Sequence, residues 1–508
     1  MNAASVFVDR HLDGGRGART AFRFRGRALS YADVAERQNR TGSALAELGV
    51  EIENRVVLAL DDSPDFAAAF WGTVKLGGVA VPVNTLMTAA EYAFVLNDSR
   101  AKVVVVDEAV APRIVSVRDR CPHLRAIVST GRAPAGGLGL DALAARASAS
   151  LAPARTGPDD IMYWGYTSGS TGPPKAATHT HAHFVAAADL VGVGVFGLTE
   201  DDVTFSASKM FFAFGLGNSL YFPAHVGGAS VLVPERIDAE RAFDVIARER
   251  PTVFFAVATL YARMLQVPDA ERRFDLSSLR LCVSSGEALP APVFDAWRAR
   301  FGLELTDVVG STEALHDFLA NRPGKAERGS CGTLVPGFEA KIVDDDGRPV
   351  PAGAVGHLLI KGPTTSLFYW NRSERTRSTM LGEWLRTGDM MSCDAAGRFV
   401  FAGRSDDMLK ISGMWVSPAE VEAALSEHPA VVEAGVVGVE DGDGLVRPHA
   451  FVVLAGGAGP TPALDAEIRA FVRARLAGFK VPATIAFVDE LPKTATGKIQ
   501  RFRLRSRP

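Results

Sequence analysis

The string Tyr166-Thr-Ser-Gly-Ser-Thr-Gly-Pro-Pro-Lys175 sets Thr167, Ser168, Ser170 and Thr171 around Gly169 and Gly172, just ahead of Lys175. Glycines let backbone N–H groups approach phosphate oxygens, hydroxyls add donors, and the lysine adds charge. In chemical terms this is a phosphate cradle. A bare G-S-T-G is often only a flexible turn, but the ten residues together are far more specific. Lys175 is followed by Ala176 rather than Ser or Thr, so the spacing departs from the Walker A loop and argues against an ordinary P-loop NTPase.

A cradle of this kind needs strands and helices to hold it. Short β-branched runs, RVVLAL (55–60), KVVVVD (102–107) and ASVLVPE (229–235), alternate with helical stretches at 64–76 and 238–249. This is the α/β pattern of parallel sheets. Between 130 and 159 the chain turns rich in Ala, Gly and Pro around one short helix, which reads as a surface crossing. Past residue 406 the character changes. Ser417-Pro418-Ala419-Glu420 predicts a capped helix start, with Glu420 reaching back to the cap. Strands at 431–439, 449–454 and 483–489 and a second helix near 464–476 complete a small α+β unit. The expected domains are therefore 1–405 and 406–508.

The chain has 508 residues, 47% of them apolar and 22% charged, with a net charge of -3. That length exceeds one core, and the interspersed charges offer no basic stripe for nucleic acid. The first residues lack a secretory leader, and the apolar window from 66 to 83 is broken by Lys75, Gly77 and Gly78, so no membrane insertion is expected. Cys121, Cys282, Cys331 and Cys393 show no C-x-x-C spacing. A reducing cytoplasm suits them best.

The phosphate string resembles the signature of the adenylate-forming superfamily, which includes acyl-CoA synthetases, peptide-synthetase adenylation domains and firefly luciferase. The likeness continues through Gly310-Ser-Thr-Glu313, Glu383-Trp-Leu-Arg-Thr-Gly-Asp389, Gly403-Arg-Ser-Asp406 with the loop from Lys410 to Gly413, and Pro492-Lys-Thr-Ala-Thr-Gly-Lys498. Lys209-Met-Phe-Phe-Ala-Phe-Gly-Leu-Gly-Asn218 and Ser311-Thr-Glu-Ala-Leu-His-Asp-Phe318 look most like the benzoate–CoA ligase branch.

The resemblance implies a large multi-part N-terminal domain, a small mobile lid, and activation of a carboxylic acid by ATP to acyl-AMP, then transfer to CoA. On this reading Thr167 to Gly172 and Lys175 hold the β and γ phosphates. Glu313, with Thr171, places Mg²⁺, a hard ion that prefers oxygen ligands, and Thr312 stands beside them. Ser285, Gly286 and Glu287, with Asp307, Val309, Gly310 and Ser311, face the adenosine. Val309 replaces an aromatic residue common in the superfamily. Asp389 and Arg404 address the ribose, since a carboxylate offers two acceptors and a guanidinium several donors. Lys498 would contact the acid and α-phosphate in one lid orientation. Rotation at Asp406 would bring Lys410, Gly413 and Trp415 in for thiol transfer.

By the same likeness Phe212, Ala213, Phe214, Gly215, Val257, His316 and Asp317 surround the acid. Phe214 stands where the branch tends to have Tyr, and Asp317 where it has an aliphatic residue. A carboxylate there either turns away or requires a hydrogen-bonding partner. Benzoates, other substituted aromatic acids and bulkier cyclic acids all stay open. So do the acceptor, CoA or a carrier-protein phosphopantetheine, and the monomer or homodimer state. A non-catalytic acyl-AMP-binding protein is disfavoured by the presence of Lys498, Glu313 and Asp389, and nothing argues for oxygen chemistry.

Overall fold

The computed structural model describes residues 1–508 apart from 168–172, 412–413, 441–445, 457–458, 494–498 and 506–508. Among the described residues the strands form sheets of nine, seven, five, three and two. In the seven-stranded sheet Arg55–Ala59 pairs in parallel with Val79–Pro82 on one side and Val103–Asp107 on the other. Successive side chains of a strand point to opposite faces. Val56 and Leu58 therefore enter the largest core cluster, while Val57 and Ala59 enter a second cluster beyond the sheet. In the nine-stranded sheet Val253–Ala256 divides in the same way, Val253 and Phe255 to the large core, Phe254 and Ala256 to an outer one. Burial on both faces explains why these strands read as unbroken apolar runs.

The helix Pro64–Lys75 belongs to the shared core and is buried nearly all round. Ser63 Oγ accepts from the Phe66 amide at 3.2 Å and Pro64 takes the first position. The apolar window from 66 to 83 thus becomes a helix leading into the strand Val79–Pro82, as expected. No helix among the described residues is long and apolar enough to cross a membrane. The segment 130–159 carries the one expected short helix, Leu140–Arg146.

Both large sheets turn antiparallel at an edge. Ile161–Thr167 pairs with Lys175–Thr180, setting Thr167 opposite Lys175. Leu305–Gly310 pairs with Asp317–Ala320, setting Gly310 opposite Asp317. The two segments richest in chemistry lie between these strand ends. A five-stranded antiparallel sheet follows, in which Trp384–Cys393 pairs with Phe399–Arg404.

The C-terminal unit has the expected pattern: helices Pro418–Ser426 and Pro462–Arg473 and strands Val431–Glu440, Val446–Leu454 and Thr484–Phe487 around a core of its own. The capping expectation needs one correction. Ser417 Oγ does accept from the Glu420 amide at 3.1 Å, but both Glu420 carboxylate oxygens instead take Lys480 Nζ, each at 2.7 Å. A full opposite charge within reach outcompetes a neutral backbone donor.

Candidate active site

Lys175 is fixed by the antiparallel edge, and its ammonium finds partners from distant segments. Nζ donates to Tyr369 Oη at 2.8 Å, and that hydroxyl donates to Glu313 Oε1 at 2.7 Å. Lys175 and Glu313 form an ion pair at 3.8 Å, and Thr167 Oγ1 lies 3.5 Å from Glu313 Oε1. Burial lowers the Lys175 pKa, against the pull of Glu313. Burial, and then the charge of Glu313, raises the Tyr369 hydroxyl's. Tyr369 was not anticipated from sequence. It lies outside any helix or strand, held by an isolated bridge to Ala177 and by its amide donating to Thr376 Oγ1 at 3.1 Å.

Glu313 is presented by a tight turn. Ser311 Oγ accepts from the Ala314 amide at 3.2 Å and closes the short helix Thr312–Ala314. Leu315, fully buried, then adopts φ +66°, a costly conformation for a branched residue that reverses the chain. That reversal puts His316 and Asp317 back on the sheet. Beneath the turn, His179 Nε2 donates to the Thr312 carbonyl at 2.7 Å, and burial holds the His179 pKa down at about 3.

Asp389 and Arg404 face each other across paired strands. Arg404 Nη1 donates to Asp389 Oδ1 at 2.7 Å and to the Thr387 carbonyl at 3.1 Å. Gly388 has φ +79°, and a Cβ there would stand 2.7 Å from Arg404 Nη2, so only glycine lets the guanidinium close down. The charges of Glu313 and Asp406 also act on Arg404, and those of Arg404 and Asp406 on Lys175. The two clusters therefore share one groove.

The structure brings Ser285 and Glu287 into positions the motifs did not specify. Ser285 is buried, and its Oγ donates to the Val308 carbonyl at 3.0 Å and reaches Asp317 Oδ1 at 3.4 Å. Glu287 Oε1 accepts from the Thr259 amide at 2.5 Å, capping the helix that begins after Val257. Gly286 is exposed beside Val257, where a Cβ added to it would stand 3.7 Å from Val257 Cγ1. Val309, Gly310, Ser311, Thr312 and Glu313 are half-buried along the same groove, and Asp307 is buried below, where burial and then the charge of Asp317 raise its pKa strongly.

The predicted acid side forms a second wall. Ala213–Leu216 is a short helix with Phe214 half-buried and Gly215 buried, and Phe212 precedes it, edge-on to Phe211. Its approach is anchored by Asp62, a buried carboxyl that accepts from the Met210 amide at 2.8 Å and whose pKa burial raises to about 7. His316 packs tilted between Phe214 and Phe222, with ring centroids at 5.5 and 4.5 Å. Asp317 is 2% exposed, and Oδ2 lies 2.9 Å from His316 Nδ1. The two atoms are close in charge terms but misaligned for a hydrogen bond, and each lacks an aligned partner.

Ser168, Gly169, Ser170, Thr171, Gly172, Gly413 and Lys498 lie outside the described residues. Lys410 and Trp415 face each other in the register of the hairpin Leu409–Ile411 and Met414–Val416.

Residues 9–370 match the family model for the AMP-binding enzyme, and residues 420–498 that for the AMP-binding enzyme C-terminal domain. A benzoate–CoA ligase of Thauera aromatica is 46% identical over 99% of this chain and 96% of its own length. The anthranilate CoA ligase AuaEII, solved with anthranoyl-AMP, superposes with a TM-score of 0.95 at 43% identity, covering 100% of this chain and 97% of its own. A benzoate CoA ligase from Burkholderia xenovorans LB400 gives 0.92 at 43% identity, with all of both chains covered. The chain belongs to the AMP-binding, adenylate-forming enzyme family, on the branch that holds the benzoate–CoA ligases.

Proposed function

We propose that this chain is an AMP-forming acid–CoA ligase that activates an aromatic carboxylic acid. A carboxylate is a poor electrophile because its oxide cannot leave. Its oxygen attacks the α-phosphorus of ATP, the bond to pyrophosphate breaks, and an acyl-adenylate results. The CoA thiolate then attacks the acyl carbon and AMP leaves. The protein must bring anions together and stabilise charge on phosphoryl oxygens.

The observation that carries this reading is the convergence of Lys175, Tyr369 and Glu313 with Asp389 and Arg404 on one groove. Lys175, with the loop from Thr167 to Gly172, holds the terminal phosphates. Asp389 accepts from the ribose hydroxyls, and Arg404 keeps that carboxylate oriented. Glu313 offers carboxylate oxygen at the groove, the donor that Mg²⁺ favours, and Thr171 would complete its protein ligands. When bound, the ion neutralises charge on the phosphates. Lys498 binds the acid carboxylate and α-phosphate in the adenylating orientation. We place the domain boundary and hinge at Asp406, with Lys410, Gly413 and Trp415 serving the thiol step after rotation. Use of ATP and CoA fits a cytoplasmic site of action.

Benzoate- and anthranilate-activating relatives support an aromatic acid as substrate and CoA as acceptor. The test is pyrophosphate release over a panel of benzoates, arylacetates and polycyclic acids, with and without CoA. We expect release with at least one benzoate and acyl-CoA when CoA is added. Release without acyl-CoA would point to a carrier-protein phosphopantetheine as acceptor, and no release with any acid would overturn the reading.

A further inference from the structure

The floor behind the acid side holds an unusual concentration of buried polar atoms without aligned partners. They include Asp317 Oδ2, His316 Nδ1, Tyr221 Oη and both side-chain polar atoms of Asn218. Their residues are 3% exposed or less. Buried polar atoms in folded proteins are nearly always paired, because an unpaired one has given up its bonds to water for nothing. A cluster of them at one place implies that something else completes it.

Asp317 is the member nearest the groove. It sits opposite Gly310 in the sheet register, and a Cβ on Gly310 would come within 2.7 Å of Asp317 Oδ1. Gly310 is half-buried, next in the chain to the Ser311–Glu313 turn, and on the acid-activating reading it lines the groove. With no side chain there, little more than a Cα hydrogen separates the groove from the carboxylate. Ser285 Oγ reaches Oδ1 only at 3.4 Å, and the 2.9 Å approach of His316 Nδ1 to Oδ2 is misaligned. His316 is itself held by the flanking rings of Phe214 and Phe222, with its Nε2 3.4 Å from the Phe214 carbonyl, so it is not free to swing into line. Neighbouring Tyr221 carries a hydroxyl whose pKa burial raises strongly, so it remains protonated and adds no negative charge.

Resting on the acid-activating reading above, we infer that Asp317 determines specificity by accepting a hydrogen bond from a hydroxyl or amino substituent on the substrate's ring. The favoured substrates are aromatic acids bearing such a donor, and an unsubstituted or methyl-substituted ring leaves the carboxylate unpaired. A site built around a hydrogen bond rejects the analogue that lacks it more strongly than a greasy pocket rejects an extra group.

The experiment compares kcat/KM for pyrophosphate release with benzoate and with the 2-, 3- and 4-substituted amino, hydroxy and methyl benzoates. The enzymes are wild type, Asp317→Asn and Asp317→Ile, each checked for folding by thermal melt. The methyl acids control for size. We expect wild type to favour an amino or hydroxy acid over its methyl counterpart by ~10- to 100-fold at one ring position, the scale of one buried acceptor left unpaired. Asp317→Ile should reverse that ratio. Asp317→Asn, nearly isosteric and so retained if the Ile variant misfolds, should lose roughly tenfold of the amino or hydroxy preference, because a neutral amide oxygen accepts more weakly than a carboxylate. Equal ratios in wild type and Asp317→Asn would mean that an internal water or His316 satisfies the carboxylate, which overturns the inference alone. No release from wild type with any acid would overturn the activity reading, and this inference with it.

Discussion

The phosphate-and-ribose part of the nucleotide side and the acid side of the groove handle buried polarity in opposite ways. On the nucleotide side the charged groups hold one another: Lys175 to Tyr369 and Glu313, Arg404 to Asp389. On the acid side, Asp317, His316 and Asn218 carry polar atoms with no aligned partner. On the proposed reading, mutual pairing pre-orients the first set for a triphosphate, which every substrate pair has in common. The second set is left to be completed by whatever acid arrives. Generic chemistry is held ready and discrimination is held open.

If that contrast is right, the largest effects belong to the nucleotide side. Glu313→Gln keeps shape and a hydrogen-bond acceptor but removes charge from both the Lys175 pair and the proposed metal. Pyrophosphate release should fall by about 10²–10³-fold, the usual scale for losing one electrostatic stabiliser. Equilibrium binding of the acid alone should change little. A comparable loss of acid binding would mean that the two sides are not separable and would break the comparison.

A step smaller, Tyr369→Phe removes the hydroxyl that bridges Lys175 and Glu313 while the direct 3.8 Å ion pair remains. One buried hydrogen bond is worth about 1–1.5 kcal/mol, so ATP KM should rise roughly tenfold with the acid preference unchanged. An unchanged ATP KM would reduce Tyr369 to packing. The second half-reaction offers a separate check. Gly413→Leu should block acyl-CoA formation and spare acyl-AMP formation, and equal loss of both would show that the assignment of that loop is wrong.

How much of this could be read in advance follows the same divide. The groups we assign to phosphate and ribose sit in strings whose composition points to that chemistry, and the sheet edges deliver them together, so the convergence of Lys175, Glu313, Asp389 and Arg404 was legible. The strands Arg55–Ala59 and Val103–Asp107 were legible because burial on both faces leaves no alternation to misread. Tyr369 was not, since a tyrosine outside any helix or strand has neither period nor motif. The Gly310–Asp317 pairing was hidden as well. It depends on Leu315 at φ +66°, which no propensity would assign to leucine. Glu420 failed for a third reason: its stronger partner, Lys480, is sixty positions away in sequence.

The smallest expected effect concerns pH and divides the two sides by sign. His179 lies under the Glu313 turn with its pKa held at about 3 by burial, below the ordinary 6.5. Its Nε2–H serves the Thr312 carbonyl, and its Nδ1 lies 3.2 Å from His183 Nδ1, so one of that pair must stay a bare acceptor. Between pH 6.5 and about 3 the unfolded chain binds the extra proton, so this contribution is complete above 6.5 and is lost as pH falls. Asp62, under the acid loop, runs the other way. Burial raises its pKa to about 7, with Lys209 opposing and Asp61 and Asp107 adding to the rise. From the ordinary carboxyl range up to about 7 the folded chain binds the extra proton, so stability there falls as pH rises. Acidification should therefore destabilise the support of the nucleotide side, while the loop that begins at Met210 loses its Asp62 contribution as pH rises to about 7. The check is the melting temperature between pH 5.5 and 8.5 in wild type, Asp62→Asn and His179→Gln. The advantage of wild type over Asp62→Asn, whose amide oxygen can still accept from Met210, should shrink as pH rises from 5.5 to about 7 and then stay flat. The advantage of wild type over His179→Gln, whose amide can keep the bond to Thr312, should shrink as pH falls below 6.5. If both differences change in the same direction with pH, the two sides share one pH response and the contrast between them does not extend to their supports.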